Sequence, residues 1–455
     1  MIQFARASSP FYREAWRDLP LHGLVLSDLP VVTKHQLMAN FDDWVTDPGV
    51  DRAGVETFLA DRAHIGNCYK DRYVVWKSSG TSGEPGIFVQ DEAALTTYDA
   101  LIGVQLQAVQ IAGHYVWGLL AQGGRAALIA ATGDHFASIA SWQHVRSGSP
   151  WSNSHAFSIM DPLAHLVSEL NAYEPAFVAS YPTMLSQLAA AKAAGRLRIA
   201  PACLWSGGEC LAPATRTLIE QAFECTLINE YGSSECMSIA FGCSEGWLHV
   251  NADWVVLEPV DRNYRPTPPG EPSHTVLLTN LANRVQPIIR YDLGDSIISK
   301  AEGCACGSPL PAVRAEGRRD DVVTMRDAGG RLVSLLPLAL TTIVENATDL
   351  HRFQLVQQAP DRLALRLEPG ATKHSQLAWR TAAAALRDYL TKQSLANVQV
   401  VLDPQPPKAD ARSGKLRQVI VEGPTTPATF DPSVQAHRTP FRIRARSRRD
   451  GPGHP

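Results

Sequence analysis

Five short stretches carry residue types that could do phosphate chemistry. The first is Ser78-Ser79-Gly80-Thr81-Ser82-Gly83-Glu84-Pro85. Glycines allow close backbone approach, successive N–H groups form a nest for an anion, and small hydroxyls add short donors. Read by itself, the stretch suits either a phosphate loop or a flexible surface loop. It is not a Walker A loop, because Glu84 stands where a phosphate-binding lysine would sit, and no G-x-G-x-x-G pattern is present. The second is Asn229-Glu230-Tyr231-Gly232-Ser233-Ser234-Glu235. An aromatic beside a glycine turn can stack on a nucleobase, and the nearby carboxylate can hold Mg²⁺ beside phosphates. In Arg290-Tyr291-Asp292-Leu293-Gly294-Asp295, the last carboxylate could accept both hydroxyls of a ribose. Gly317-Arg318-Arg319-Asp320-Asp321 and Ser413-Gly414-Lys415-Leu416-Arg417 add cations in glycine-flexed turns. Singly, each of the last four reads first as an ordinary turn.

The elements that must position these stretches alternate. Tyr73-Val74-Val75-Trp76, Val116-Trp117-Gly118-Leu119-Leu120, Ala126–Ala130, Ala176–Tyr181, Cys203–Ser206 and Thr226–Ile228 read as strands. Helices are predicted from Pro182 to Ala193 and from about Pro213 to Phe223, and Thr33 is placed to cap another. Strands alternating with helices predict an α/β fold with a mainly parallel sheet, helices on both faces and ligands at the carboxyl ends of the strands. The glycine turns at 78–85, 206–209 and 231–235 each follow a strand, so they are expected to meet at one cleft. From Trp254 to Ile297 the pattern turns to β, and beyond Asp321 a smaller α+β unit runs to about Glu422. The remainder, rich in prolines with a basic run from Arg442 to Arg449, is expected to be a disordered tail.

Composition narrows the class. A chain of 455 residues with 45% hydrophobic and 19% charged residues suits a soluble enzyme of more than one domain. Its net charge of −3 gives no electrostatic footprint for nucleic acid. No apolar run reaches membrane-spanning length, and the N-terminus lacks a signal-peptide layout, so a cytoplasmic protein is expected. In such a compartment cysteines serve as metal ligands or buried small hydrophobes rather than as a disulfide framework. Cys304-Ala305-Cys306-Gly307 suits a tetrahedral metal, and Cys243 and His249 stand at a spacing that zinc sites tolerate. Cys68, Cys203, Cys210, Cys225 and Cys236 are expected to be buried.

Taken in order, the five stretches resemble the motifs of the adenylate-forming superfamily, the acyl-CoA synthetases and their relatives, over residues 78 to 417. The form of Arg290–Asp295, the chain length and the Cys-x-Cys-Gly element resemble the phenylacetate–CoA ligase family. The resemblance implies ATP-dependent adenylation of a carboxylic acid, release of pyrophosphate, and transfer of the acyl group to CoA. Relatives pass it instead to a carrier-protein thiol or an amine, and a silent nucleotide-binding relative is the remaining alternative. Residue by residue, it implies that Ser79, Gly80, Thr81, Ser82 and Gly83 wrap the ATP phosphates. Gly207, Gly208 and Glu209 line the adenine side. Tyr231, with Gly232 and Ser233, borders the adenine, Ser234 contacts the α-phosphate, and Glu235 helps hold Mg²⁺. Asp295 binds the ribose and Arg318 the ribose or phosphate. Lys415 bridges the carboxylate and the α-phosphate, where it offsets the repulsion of two anions. An N-terminal AMP-binding domain of residues 1–319 is implied, with a mobile lid of residues 320–422 hinged near Asp320 and a tail of residues 423–455. A structural zinc on Cys243, His249, Cys304 and Cys306 is supported by the same resemblance. By position, Trp117, His135, Phe136, Trp142, Tyr181 and Met237 are candidates for an acyl pocket, and their aromatic character suits an aromatic acid. A homodimer is compatible with the family, and no nucleic-acid or membrane partner is expected.

Overall fold

The computed structural model describes residues 1–20, 23–78, 85–108, 123–148, 153–158, 161, 163–318, 323–335, 340, 343–344, 347–348, 350, 352–368, 372–408 and 418–422. Ser79 to Gly83, Trp117, Val116–Leu120, Asp320, Lys415 and the tail lie outside these residues, as does the side chain of Arg318.

A nine-stranded sheet forms the centre. From edge to edge it runs Asp295–Ser299, Ala312–Arg318, Leu248–Val250, Ala240–Gly242, Thr226–Tyr231, Cys203–Ser206, Phe177–Ser180, Ala126–Ala130 and Ser154–Ser158. The last five pair in parallel. The first four join antiparallel, through Glu230↔Phe241 at the seam. Strand Cys203–Ser206 is buried throughout, as a parallel strand covered on both faces must be. Helix Pro182–Ala193 begins with proline at its first position, where the missing N–H costs no hydrogen bond. Thr33 caps helix Lys34–Ala39 in a reciprocal box with Gln36. Leu166, Leu170, Val178, Leu185, Leu188, Leu204 and Ile219 pack into one cluster between the parallel strands and their helices.

The buried strand expected at Tyr73–Trp76 forms, over Tyr73–Lys77. Strand Tyr73–Lys77 does not join the parallel sheet. It pairs antiparallel with Ile87–Gln90 and with Cys68–Tyr69 in a small separate sheet. The stretch 79–84 therefore links two hairpin strands rather than a strand and a helix. A run such as Tyr-Val-Val-Trp fits either setting, because both bury it on two faces: here Trp76, Val74 and Val75 are almost fully buried. A third sheet, Val255–Val260, Thr275–Asn280 and Ile288–Asp292, is antiparallel throughout.

The C-terminal unit has its own core. Phe353–Ala359 and Arg362–Leu367 form a hairpin, flanked in parallel by Val419–Val421 and Gln399–Asp403. Helix Thr372–Lys392 presents Ala382, Ala383, Leu386 and Leu390 to that sheet, in one cluster with Phe353, Leu355, Leu363 and Leu365. Spacings of three and four along the helix put these residues on one face.

Candidate active site

A cleft of about 1660 Å³ opens at the carboxyl ends of the parallel strands. Gly207, Gly208, Glu209, Tyr231, Gly232, Ser233, Ser234, Glu235 and Asp295 all line it. Residues up to 88 positions apart thus reach one wall, because three separate chain segments end there.

In the turn after Cys203–Ser206 the backbone itself calls for one glycine, Gly208. Gly208 has φ of +75°, a conformation costly for other residues. A Cβ on Gly207 would lie 3.7 Å from Glu230 Oε2. The Glu209 carboxylate accepts from Thr183 Oγ1 at 2.8 Å and Thr183 N at 3.2 Å, at the start of helix Pro182–Ala193. It thereby joins the glycine turn to the helix N-terminus, where negative charge is favoured.

The Tyr231–Glu235 turn is tied on every side. Ser233 N and Cys236 N each donate to the other residue's carbonyl, at 2.9 and 3.2 Å. Trp76 Nε1 donates to Ser234 O at 2.8 Å, and Asn280 Nδ2 to Glu235 O at 3.1 Å. Tyr231 donates its hydroxyl to Asp295 Oδ2 at 2.7 Å, which joins the second and third sequence stretches directly. Tyr291 donates to Glu235 Oε1 at 2.8 Å, holding a largely buried carboxylate in one orientation. Glu235 could hold Mg²⁺ together with a bound phosphate, since that ion commonly takes one or two carboxylates plus substrate oxygens. Asp295 pairs across the sheet with Arg318, so the fourth stretch begins beside the third.

The acyl-pocket candidates divide. Phe136, Trp142, Tyr181 and Met237 line the cleft. His135 does not. It is fully buried, with Nε2 3.0 Å from Asp61 O and its ring packed near Phe58, and burial pushes its pKa down. Its backbone carbonyl accepts from Lys77 N at 2.8 Å, so it supports the hairpin strand instead. Cys210 also departs from expectation. Cys203 and Cys236 are buried and Cys68 and Cys225 half-buried, but Cys210 is exposed on the cleft wall, donating to Ala315 O at 3.3 Å. It follows a glycine turn and so emerges from the sheet rather than entering it.

Sequence reading assigned no role to Glu230, Asp292 or Trp205, yet all three line the cleft. Asp292 accepts from Thr275 Oγ1 at 2.6 Å and Tyr264 Oη at 2.9 Å. A carboxylate following the apolar pair Leu227-Ile228 in the same strand was the available signal for Glu230.

Beside the cleft, one ligand atom each from Cys243, His249, Cys304 and Cys306 gather within 4.8 Å of one another. Cys243 Sγ lies 3.7 Å from Cys304 Sγ, and His249 Nε2 lies 3.1 Å from Cys306 Sγ. Such separations suit tetrahedral zinc, whose Zn–S bonds are about 2.3 Å. His249 Nδ1 sits 3.1 Å from Leu310 O, a bond that places the proton on Nδ1 and leaves Nε2 free to ligate. Strands Ala240–Gly242, Leu248–Val250 and Ala312–Arg318 bring these loops together. Between Cys243 and His249, Ser244, Glu245 and Gly246 reach the cleft, and Trp247 stacks under Arg314 at 4.2 Å. No helix among the described residues is long and apolar enough to cross a membrane.

No family model matches the chain. A curated relative, Protein CapK of Staphylococcus aureus, is 25% identical over 212 residues, 45% of this chain and 44% of that protein. The match thus spans less than half of that relative. Among solved structures, the chain is similar to 2-hydroxyisobutyryl-CoA ligase in the postadenylation state in complex with 2-HIB-AMP. The TM-score is 0.63 and the identity 22%, over 93% of this chain and 87% of that one. It is also similar to the anthranilate CoA ligase AuaEII in complex with anthranoyl-AMP, with a TM-score of 0.52 and 16% identity over 75% of this chain and 64% of that one. The nine-stranded sheet, its cleft and the smaller C-terminal unit together give this chain the fold of these CoA ligases.

Proposed function

We propose that this protein is an ATP-dependent acid–thiol ligase that activates a carboxylic acid as its acyl-adenylate and passes the acyl group to CoA. The observation that carries the reading is convergence. Gly207–Glu209, Tyr231–Glu235 and Asp295 meet on one cleft, at the carboxyl ends of the strands, in a fold shared with CoA ligases that hold acyl-AMP.

In this reading Asp295, oriented by the Tyr231 hydroxyl, accepts the ribose hydroxyls. Ser234 faces the α-phosphate. The substrate carboxylate attacks the α-phosphorus, the P–O bond to pyrophosphate breaks, and acyl-AMP forms. Glu235, pinned by Tyr291, helps hold Mg²⁺, which when bound neutralises phosphate charge. Lys415 of a lid formed by residues 320–422, hinged near Asp320, supplies a second cation and withdraws for the thiol step. The loop of Ser79 to Gly83 takes the β- and γ-phosphates, and Arg318 the ribose or phosphate. Phe136, Trp142, Tyr181 and Trp205 on the cleft wall favour an aromatic acid. Zinc on Cys243, His249, Cys304 and Cys306 has all four positions filled by protein, so its role is to fix the Ser244–Gly246 wall rather than to react.

The test is pyrophosphate release from MgATP over aromatic, aliphatic and amino acids, with and without CoA. Acid-dependent release that CoA accelerates, and that Lys415→Ala lowers by two orders of magnitude or more, is expected. Release indifferent to CoA moves the acceptor to a carrier-protein thiol or an amine. No release with any acid, together with ATP binding unchanged in Asp295→Ala, refutes the reading.

A further inference from the structure

Glu230 is a cleft carboxylate to which the adenylation chemistry gives no role. It follows Asn229 at the end of strand Thr226–Tyr231, and its side chain reaches the part of the cleft floored by Trp205. Trp205 Nε1 donates to Glu230 Oε2 at 2.8 Å, and the Ser238 hydroxyl lies 3.5 Å from Oε1. Trp205 is itself wedged edge-on against Phe241, with ring centroids 5.6 Å apart, and near Phe177 at 6.2 Å. Gly207 leaves open the space above Oε2 that any larger side chain would narrow.

A carboxylate offers about four acceptor directions. Among the described residues only Trp205 and Ser238 supply donors to it, and no cation pairs with it. Burial accordingly pushes its pKa up to about 7. An acidic group in aromatic surroundings is costly to keep, and a hydrophobic residue of the same length would fill the space without that cost. Glu230 lines the cleft, whose wall also carries Phe177, Tyr181 and Met237.

We propose that Glu230 sets acyl specificity by accepting a hydrogen bond from an N–H or O–H group on the body of the substrate acid, away from its reacting carboxylate. The inference rests on the adenylation reading and narrows its substrate to acids that bear an amino or hydroxyl substituent. A site built to bond such a group rejects the analogue lacking it, because the half-buried acceptor is left unmatched.

The experiment compares amino- and hydroxybenzoates with fluoro- and methylbenzoates of the same substitution pattern. Acid-dependent pyrophosphate release and calorimetric binding of each acid are measured on the full chain, for wild type, Glu230→Gln and Glu230→Asp. The wild type is expected to prefer a donor-bearing acid by roughly tenfold or more, the factor one hydrogen bond to a charged acceptor contributes. The amino and hydroxyl series identify which donor it takes. In Glu230→Gln a single acceptor oxygen remains and Trp205 claims it, so the preference collapses or reverses. Glu230→Asp keeps the chemistry at a shorter reach and retains part of it. Equal preference ratios in wild type and Glu230→Gln, with both proteins folded, overturn the assignment. The two readings fail separately. Pyrophosphate release without donor preference leaves the ligase and removes Glu230's role. Donor-selective binding without pyrophosphate leaves Glu230's role and removes the ligase. Neither binding preference nor release overturns both.

Discussion

Gly232 is the position where a single methyl group should do most damage. A Cβ built there lies 2.0 Å from Met237 O and 3.0 Å from Met237 C. An ordinary C···O contact needs about 3.3 Å, so the two segments must part by more than 1 Å. The obstructing atoms are backbone, and the backbone cannot yield freely. Ile239 N donates to Tyr231 O at 3.0 Å, Ser233 N to Cys236 O at 2.9 Å, and Asn251 Nδ2 to Ser238 O at 2.9 Å. Cys236 and Ser238 are fully buried. Separation therefore breaks at least one of these bonds. Overpacking costs roughly 1–3 kcal/mol and a lost hydrogen bond about 1 kcal/mol more, so Gly232→Ala should destabilise by about 2–4 kcal/mol. Ser234 and Glu235 lie in the same turn, and a shift of this size in positioning groups costs on the order of 100-fold in rate. Calorimetric unfolding and acid-dependent pyrophosphate release are the assays. Gly303→Ala, where an added Cβ meets nothing within 4 Å, is the control. A Gly232→Ala protein whose melting temperature and kcat/KM both match the control refutes the reasoning, since the turn would then be looser than its contacts require.

Three further outcomes follow from other parts of the molecule. In the C-terminal unit, Arg366 is buried and bonds Asp403 and Glu422 at 2.8 Å each and Gln354 at 3.1 Å. Arg366→Met leaves Asp403 without its buried partner and should cost about 3–5 kcal/mol, while Arg366→Met with Asp403→Leu should recover most of it in denaturant unfolding. A double variant no more stable than the single one would be the contrary result. Glu230 gives a pH signature: its folded pKa is raised to about 7 from an ordinary 4.5, so the stability its protonated form contributes is present below about pH 4.5 and lost as pH rises through 7. Relative to wild type, Glu230→Gln should melt higher at pH 8 by the equivalent of about 2 kcal/mol, after allowance for cleft water, and little differently at pH 4.5; a difference independent of pH contradicts this. Removal of metal by a strong chelator, or His249→Ala, should release close to one equivalent of zinc and loosen the Cys243–His249 loop to proteolysis. Metal analysis of the purified protein showing no zinc, with the loop already protected, counts against the site.

Much of the architecture was readable because its signals are local. Cys203-Leu204-Trp205-Ser206 is a short apolar run between turns, the mark of a strand buried on both faces. Pro182 and Thr33 start helices through their own backbone and hydroxyl chemistry. The glycine turns announced themselves by composition, and the Cys-x-Cys-Gly pair by spacing. Nothing local says which strand pairs with which. Tyr73–Lys77 belongs to a hairpin because Ile87–Gln90 returns to it, and Asp295 meets Arg318 because a strand beginning at Ala312 lies alongside. The direction in which a side chain leaves its element was equally hidden. His135 points into packing, Cys210 out to the cleft, and Glu230 toward Trp205. The sequence determined which residues could bind and react. The tertiary structure decided which of them share a cavity, because pairing and burial are set by partners far along the chain, and those partners also fix the dielectric surroundings that move Glu230's proton affinity.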